Sequence, residues 1–345
     1  MSASTTERSR TTLAMLADEA GVSLSTISKV LNGRSDVASS TRKRVERLLD
    51  AHDYRRRGTA ARGSGLIEVV FPDLWSMEIV TGVEEVAREN DMSVVITKSG
   101  DRHSPAADWI SGVLRRRPAG VVLVFSGLSP ALREQLNARS IPFAIIDPAG
   151  DPAPGVPSVG SANWSGGLMA TRHLLGLGHR RIAAITGPDD MMCSLARLDG
   201  FRSAMASSGV PVREDWVHLG DFELGGGRRA AERLLAGPDR PTAIFAGSDM
   251  QALGVLEVAA ELGLRVPEDL SVVGYDDREV AAWTRPRLTT VHQPLQQMAA
   301  TAARMVLRLA AGGSTEHQRI DLATHLVVRE STAPPVEAVS PPDGR

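Results

Sequence analysis

The chain has little of what disulfide-stabilised, metal-binding or membrane-spanning proteins need. Its 345 residues include one cysteine, Cys193, which excludes an internal disulfide framework and a cysteine-rich metal site. We interpret Cys193 as a small buried or cavity-lining residue. No run of about 18 apolar residues occurs, so no transmembrane helix is expected. The first ten residues are polar and lack the apolar stretch of a secretory signal, and we expect a cytoplasmic protein.

Catalytic motifs are missing as well. Gly225-Gly226-Gly227 precedes a helical segment without the strand and GxGxxG spacing of a dinucleotide site, and no GxxxxGK[ST] segment occurs. The eight histidines form no HExxH pair, and scattered serine, histidine and aspartate residues define no triad without geometry. We therefore predict that the protein is not an enzyme and uses no cofactor or metal.

Positive charge is concentrated near the N-terminus. The formal net charge is −2, but residues 1–65 hold 12 Lys and Arg against 7 Asp and Glu, whereas the rest holds 27 against 34. A basic head on an acidic body is typical of a protein in which only the head meets phosphate.

Residues 11–54 have the pattern of a helix-turn-helix module. The tight turn Gly21-Val22-Ser23 separates one run of helical periodicity from a second that starts near Leu24. A third amphipathic helix follows, with basic residues such as Arg44 and Arg47 on its outer side. The predicted inner positions are Leu13, Leu16, Ala17, Ala20, Ile27, Val30, Leu31, Val45, Leu48 and Leu49.

The rest of the chain has the pattern of an α/β protein. Residues 55–65 are basic, lack apolar periodicity and are predicted to be a hinge linker. From Leu66 onward, apolar segments such as LIEVVF, GVVLVF and TAIFAG alternate with amphipathic helices. Strands with near-continuous Val and Ile runs are typical of parallel sheets covered on both faces. The number of strands predicts two doubly wound lobes, and the Pro-rich residues 333–345 a disordered tail.

The two regions together resemble the lactose-repressor family of bacterial regulators. In the body, residues 173–182, 197–201, 267–277 and 286–291 carry the likeness. In the headpiece the likeness rests on Leu13, Ala17, Ala20, Gly21, Val22, Ser23, Thr26, Ser28, Val30, Leu31, Asn32, Val37, Thr41, Arg44, Val45 and Tyr54. The resemblance implies lobes like those of periplasmic sugar-binding proteins. The N-lobe would be about 66–160 plus 292–323, and the C-lobe about 161–291 plus 324–332.

The resemblance also implies which headpiece residues meet DNA. The second helix would lie in a major groove, with Leu24 against a thymine methyl, Ser25 in a short hydrogen bond and Lys29 donating to guanine. Capping of a helix is the alternative role of Thr12 and Ser23. The other expected contacts, mostly to phosphate, are Thr12, Ser23, Thr26, Ser28, Asn32, Thr41 and Tyr54.

The linker departs from the family pattern. Most relatives place Pro-Asn after the tyrosine and, further on, a leucine that enters the minor groove as paired hinge helices form. This chain has Arg56-Arg57 and Gly63 at those positions, and Gly58 weakens a helix further. We therefore expect a basic arm that follows phosphates or enters a narrow minor groove. The arm consists of Arg55, Arg56, Arg57 and Arg62.

Polar and aromatic residues at predicted strand ends indicate an effector site, because ligands of doubly wound lobes bind there. The resemblance places Arg197 where the family's effector-contacting arginine stands. Carboxylates with one arginine can bind vicinal hydroxyls, and an apolar sugar face can stack on indole, so we expect a sugar. The expected contacts are Asp73, Trp75, Asp147, Trp164, Arg197, Ser248, Asp249, Asp276 and Trp283.

Structural roles remain open for part of this set. Asp249 suits a helix cap as well as a ligand contact, Trp164 and Trp283 suit packing of the lobes, and we interpret Asp277 as structural.

The sequence thus predicts a nucleoid-associated, homodimeric transcriptional regulator, in the first instance a repressor. Its affinity for a pseudo-palindromic double-stranded DNA operator is expected to change when a sugar binds between the lobes. A purine effector, known in one branch of the family, and a co-repressor-dependent or activating regulator remain open. A free solute-binding protein would have a signal sequence and no headpiece. A sugar-processing enzyme would need a nucleophile or a metal site.

Overall fold

The structure, a computed structural model, describes residues 13–31, 37–52, 64–72, 76–100, 108–124, 127–148, 155–315 and 318–336. Its first part contains three short helices, α1 (Leu13–Ala20), α2 (Leu24–Leu31) and α3 (Ser39–Ala51). Ile27, Val30 and Val45 are buried where the helices meet. The predicted helix-turn-helix arrangement is confirmed.

The turn between α1 and α2 depends on Gly21. Its φ of 61° is in the left-handed region that glycine adopts at low cost. The amide of Gly21 donates to the carbonyl of Asp18, and the amide of Val22 donates to that of Ala17, which satisfies two carbonyls at the end of the helix. The chain therefore reverses within three residues and begins α2 at once.

The N-lobe is built on a six-stranded, fully parallel sheet with the order β11-β5-β4-β3-β1-β2. Helices α4 and α12 cover one face, and α5 and α6 cover the other. The strands are β1 (Leu66–Phe71), β2 (Ser93–Lys98), β3 (Gly120–Val124), β4 (Phe143–Ile146), β5 (Ser158–Ser161) and β11 (Arg319–Leu322). The helices are α4 (Met77–Glu89), α5 (Asp108–Arg116), α6 (Pro130–Asn137) and α12 (Leu295–Ala310).

The C-lobe repeats this plan with the order β12-β10-β9-β8-β6-β7, in which only β12 is antiparallel to its neighbour. Helices α7 and α8 cover one face, and α9 and α10 cover the other. The strands are β6 (Ile182–Ile185), β7 (Val217–His218), β8 (Ala243–Ala246), β9 (Ser271–Asp276), β10 (Thr289–His292) and β12 (His325–Val327). The helices are α7 (Asn163–Gly176), α8 (Met192–Ser207), α9 (Leu224–Leu235), α10 (Asp249–Glu261) and the short α11 (Glu279–Trp283).

The chain passes between the two sheets three times. The crossings follow β5, β10 and β11, near residues 162, 293 and 323. The predicted class, a helical headpiece followed by two doubly wound α/β lobes, is confirmed. Four strands were not predicted: β5, β7, β11 and β12. All are short, and segments such as Ser158–Ser161 and Arg319–Leu322 lack the Val and Ile runs that identify a buried strand.

The predicted start of the disordered tail is too early. Ala333 accepts a hydrogen bond from the hydroxyl of Ser271 through its carbonyl, and its amide donates back to the same hydroxyl. His179 also lies 2.9 Å from that carbonyl. Burial of these polar partners fixes the chain here, and the described structure continues to residue 336.

An ion pair between a buried carboxylate and a partly exposed guanidinium joins the N-lobe sheet to α5. Glu68, within β1, is fully buried, and its carboxylate accepts hydrogen bonds from the guanidinium of Arg116, one of them at 3.1 Å, and from the hydroxyl of Thr97 at 2.5 Å. A buried carboxylate needs such partners.

None of the helices in the described parts of the chain combines the length and the apolar character that crossing a bilayer requires.

Candidate functional site

The N-terminus of α2 presents a polar face with one apolar side chain. Leu24 is 53% exposed, and Ser25 beside it is also exposed. The hydroxyl of Ser23 accepts a hydrogen bond from the amide of Thr26 at 3.2 Å and lies 2.7 Å from the hydroxyl of Ser25. Ser23 therefore caps α2, the alternative weighed for it from sequence.

The remaining described headpiece candidates differ in exposure. Ser28 is exposed, and Lys29, Thr26 and Thr41 are half-buried. The other predicted site residues lie outside the described residues: Thr12, Asn32, Tyr54, Arg55, Arg56, Arg57, Arg62, Asp73 and Trp75.

Arg197, on α8, is the centre of the polar cluster between the two lobes. Its guanidinium is buried and donates three hydrogen bonds: from Nε to Oδ1 of Asn163 at 2.8 Å, from Nη1 to the carbonyl of Gly247 at 2.6 Å, and from Nη2 to Oε1 of Gln293 at 2.7 Å. Nη1 also lies 3.6 Å from Oδ1 of Asp276. These contacts hold the planar guanidinium in one orientation.

Two aromatic rings complete the surroundings of this guanidinium. Its central carbon lies 3.6 Å from the ring centroid of Tyr275 and 5.3 Å from that of Phe222, distances at which cation–π attraction operates. Tyr275 is fully buried in β9, whereas Phe222 is half-buried and lines a cavity.

Glycines in α7 and α8 allow the close helix packing that sets the position of Arg197. A Cβ on Gly167 would lie 2.1 Å from the carbonyl oxygen of Arg197, and a Cβ on Gly200 would lie 2.1 Å from that of Trp164. Only residues without a side chain permit this approach. The backbone of α8 at Arg197 and of α7 at Trp164 is thereby fixed by the contact between the helices.

Two carboxylates lie next to the buried guanidinium. Asp147 follows β4 in the N-lobe, and Asp276 ends β9 in the C-lobe. Burial raises the pKa of Asp147 to about 6, although the charge of Arg197 and a hydrogen bond from Gln293 oppose the shift. Burial likewise raises the pKa of Asp276 against the charge of Arg197. Carboxylate oxygens accept hydrogen bonds and a guanidinium donates them, so together they can bind a molecule with adjacent hydroxyl groups.

Gln293 connects the lobes, and sequence reasoning missed it. It follows β10 at a crossing, its Oε1 accepts from Arg197, and its Nε2 donates to Oδ2 of Asp147 at 2.8 Å. Its place at a strand end was a usable signal. Asn163 and Phe222 were also missed, since each follows a strand, β5 or β7, that the sequence did not reveal.

Two cavities border this cluster. The first has a volume of about 50 Å³ and is lined by Arg197, Asp276 and Ser248 from the predicted set. The second has a volume of about 220 Å³ and is lined by Asp147 and Trp164 from the same set. Groups from both lobes line each one. Further lining residues of the first cavity are Ser76, Ile79, Cys193, Phe222, Met250, Arg278, Gln293 and Leu295.

Neither of these cavities is lined by Asp249 or Trp283. Asp249 is fully buried at the start of α10, and its carboxylate accepts hydrogen bonds from the hydroxyl of Thr290 and the amide of Arg278. These contacts are structural. The cap of α10 is Ser248, whose hydroxyl accepts from the amide of Gln251 at 3.1 Å. Trp283 is 69% exposed on α11.

The contacts of Asp277 are structural, and Cys193 is a buried, cavity-lining residue, which agrees with the interpretation from the sequence. Asp277 accepts a hydrogen bond from Arg329 at 2.6 Å and pairs with His292 at 3.1 Å. Cys193 is buried, and burial raises the pKa of its thiol to about 12, so the nucleophilic thiolate form is strongly disfavoured. Within the described parts of the chain, no group of three or more His, Cys, Asp or Glu side chains could hold a metal ion.

Comparisons with known proteins cover the headpiece and both lobes. A family model described as bacterial regulatory proteins, lacI family, matches residues 12–57, and one described as periplasmic binding protein-like domain matches residues 171–332. The HTH-type transcriptional regulator CelR of Thermobifida fusca is 35% identical over 339 residues, which cover 94% of this chain and 99% of CelR.

Two solved structures have the same overall architecture. A complex of the transcriptional regulator CelR with cellobiose matches with a TM-score of 0.69 and 34% identity, covering 93% of this chain and 100% of that chain. The lac repressor dimer bound to operator and the anti-inducer ONPF matches with a TM-score of 0.67 and 27% identity, covering 94% of this chain and 99% of that chain.

Proposed function

The chain belongs to the lacI family of bacterial regulatory proteins, and we propose that it is a homodimeric, DNA-binding repressor whose operator affinity is switched by a sugar bound between its lobes. The observation that best supports this proposal is the buried guanidinium of Arg197, which hydrogen bonds hold in one orientation. It lies with Asp147 and Asp276 in a cleft that both lobes line. The dimer bound to operator in the lac repressor supports the assembly, and a two-fold dimer matches a pseudo-palindromic site.

On the DNA side, α2 is the element that enters the major groove. Leu24 and Ser25 lie at its exposed N-terminal end, where recognition helices contact bases. Lys29 follows one turn later and donates to guanine. The proposed phosphate-contacting and arm residues are Thr12, Ser23, Thr26, Ser28, Asn32, Thr41, Tyr54, Arg55, Arg56, Arg57 and Arg62.

On the effector side, Arg197 and Asp276 bind neighbouring hydroxyls of the sugar. Phe222 lines the same cavity and offers its ring to the apolar face of the sugar. The complex of the relative CelR with cellobiose supports a sugar in this cleft. The proposed contacts are Asp147, Trp164, Arg197, Ser248, Asp276, Phe222 and Gln293, together with Asp73 and Trp75 outside the described residues.

The switch follows from the position of Gln293. In the described state its amide joins Asp147 of the N-lobe to Arg197 of the C-lobe. Hydroxyls of a bound sugar compete for these same donors and acceptors and can replace the link through Gln293. The ligand therefore has different contacts in an arrangement of the lobes with this link and in one without it. Such a difference in affinity is what a ligand needs to shift a conformational equilibrium.

The main test measures fluorescence anisotropy of labelled DNA from the protein's own promoter region, with and without a panel of mono- and oligosaccharides. We expect tight, sequence-selective binding that one sugar changes. In Arg197→Ala, DNA binding persists and the response to that sugar is lost. In Lys29→Ala, sugar binding measured by calorimetry persists and DNA binding weakens. A normal sugar response in Arg197→Ala would refute the assignment of the cleft.

Two outcomes separate this proposal from its alternatives. Selective DNA binding that responds to a purine and to no sugar identifies a purine effector in the same cleft. Turnover of any sugar in the panel, followed by mass spectrometry, identifies an enzyme.

The basic arm has its own test. Arg56→Ala combined with Arg57→Ala removes two phosphate-neutralising charges, so we expect weaker DNA binding and a smaller dependence of affinity on salt concentration, by about one to two units of logarithmic slope. Unchanged affinity and unchanged salt dependence would exclude the arm.

A further inference from the structure

One edge of the N-lobe carries positive charge, although the body as a whole is acidic. Residues 66–345 hold 27 Lys and Arg against 34 Asp and Glu. The cleft lies at the edge of the sheet where strands end, because Asp147 follows β4 and lines a cavity there. The opposite edge is formed by residues 64–65 in front of β1 and by the connections 117–119 and 138–142 in front of β3 and β4. We call it the strand-start edge.

The order of the strands brings three arginines together at the strand-start edge. In the sheet, β3 lies between β1 and β4, and the three run parallel, so all of them begin at this edge. Arg115 and Arg117 lie at the end of α5 and just after it, in front of β3, and Arg139 lies in front of β4. Since neighbouring strands are about 4.8 Å apart, the three arginines come from a strip of the sheet about 10 Å wide.

The guanidinium groups of these arginines are not used within the described protein. Arg115 and Arg117 are exposed and Arg139 is half-buried, and none of the three side chains has a hydrogen bond or an ion pair with another described residue. Arg116, between the first two, differs because it pairs with the buried carboxylate of Glu68. The fold thus uses one cation of this segment and leaves its neighbours to the solvent.

Positive charge also exceeds negative charge around the three arginines. Arg308, in the last turn of α12, is a fourth arginine without a partner among the described residues, and the acidic residues of this edge without one are Asp91 and Glu134. The charged side chains in the last turn of α4 are paired within the lobe. The strand-start edge therefore attracts anions, whereas the acidic remainder of the body repels them.

The linker from the headpiece ends at the strand-start edge. The amide and the hydroxyl of Ser64 donate hydrogen bonds to the carbonyl of Arg117 at 3.2 and 3.3 Å. His52 is the last described residue of the headpiece, and the chain between it and Ser64 spans at most about 43 Å. DNA held by the headpiece is therefore kept near this edge at a high effective concentration.

The backbone at Arg117 is better suited to another residue. Its φ is 50°, in the left-handed region that glycine and asparagine adopt at lower cost. Such a conformation is retained most often where the side chain has a function. The backbone of this connection does not require an arginine, so the reason for its presence lies in its side chain.

We infer that the strand-start edge of the N-lobe is a second DNA-contacting surface, at which Arg115, Arg117 and Arg139 bind backbone phosphates of the DNA that the headpiece reads. Guanidinium groups match phosphate oxygens in charge and in hydrogen-bonding geometry. Contacts to phosphate increase affinity without reading sequence. This inference rests on the proposed DNA-binding function and adds part of the N-lobe to the surface that meets DNA.

The test measures fluorescence anisotropy of the labelled operator and of an unrelated duplex of equal length over a range of salt concentrations. The full chain is compared with a variant that combines Arg115→Gln, Arg117→Asn and Arg139→Gln. This variant should bind both duplexes at least about tenfold more weakly, and by the same factor, because phosphates are common to both. The slope of log affinity against log salt should become shallower by about two to three units.

Two further variants separate phosphate binding from folding and from net charge. Lysine at all three positions keeps the positive charges and should keep most of the affinity and of the salt slope. The matched control combines Arg172→Gln, Arg233→Gln and Arg285→Gln, which removes three exposed arginines of the C-lobe and should change neither quantity strongly. In the glutamine and asparagine variants the unfolding free energy in urea should change little, because the side chains removed have no described ionic partners.

The possible results distinguish this inference from the proposed function. If the variant of the strand-start edge keeps the affinity and the salt slope of the natural chain, or if the C-lobe control loses as much, the second surface is wrong and DNA binding by the headpiece stands. If the natural chain binds no operator selectively, the proposed function is wrong and the second surface is wrong with it.

Discussion

The two lobes have the same architecture and use their buried charge differently. In the C-lobe, Arg197 is oriented by hydrogen bonds and an ion pair at the cleft. In the N-lobe, the pair of Glu68 and Arg116 joins β1 to α5 and lines neither cavity, while Asp147 is the buried charged residue that the described part of this lobe brings to the cleft. The comparison indicates that the C-lobe uses buried charge at the site, whereas the N-lobe uses part of its buried charge within its own sheet.

The largest effect is expected from a matched pair of glycine substitutions. A Cβ on Gly167 in the C-lobe would lie 2.1 Å from the carbonyl oxygen of Arg197, and one on Gly82 in the N-lobe would lie 2.1 Å from that of Gln296. Each alanine variant should lose about 3 kcal/mol of unfolding free energy, measured in urea, because backbone must move. Gly167→Ala should lose more sugar affinity than Gly82→Ala, because it displaces Arg197 itself, whereas Gly82→Ala displaces Gln296, three residues from Gln293. Equal losses of affinity would remove the distinction between the lobes.

A smaller effect is expected at the N-lobe ion pair. Arg116→Ala leaves the carboxylate of Glu68 buried without its guanidinium, which should cost about 2 kcal/mol, less than for a fully buried pair because Arg116 is partly exposed. Glu68→Gln in the same chain should recover part of this loss. Sugar affinity should remain unchanged in both variants. A large decrease would show that this N-lobe ion pair also affects the site.

The third expected effect is a pH dependence at Asp147. Its folded pKa of about 6 lies above the value of about 3.9 of an unfolded aspartate, so the folded state holds the proton more tightly. The stability from this group is full below pH about 4 and is lost as pH rises through about 6. The unfolding free energy of the natural chain minus that of Asp147→Asn should therefore be lower at pH 7 than at pH 4. A difference that is flat or rises would contradict the assigned environment.

The sequence predicted the family and the fold class because both depend on local patterns. Apolar runs such as LIEVVF and TAIFAG identify central strands whatever their partners are. The edge and crossing strands β5 and β11 were missed because Ser158–Ser161 and Arg319–Leu322 acquire their strand structure from pairing with neighbours. Their partners are distant in the chain, and no local pattern records them.

The candidate site was predictable only where a residue follows a recognisable strand. Asp147 and Asp276 were found in this way, and the structure places Asp276 beside Arg197 and joins Asp147 to Arg197 through Gln293. Asn163 was missed together with β5. The structural role of Asp249 depends on Thr290 and on the amide of Arg278, contacts between segments that sequence spacing does not reveal.

The three crossings between the sheets constrain how the protein can be made. The N-lobe is incomplete until α12 and β11 have been synthesised, because α12 covers one face of its sheet and β11 forms its edge. A nascent chain carries a finished headpiece long before either lobe is complete. A premature stop codon anywhere between β6 and α12 therefore damages both lobes, and it leaves the helix-turn-helix intact on a chain that cannot respond to a ligand.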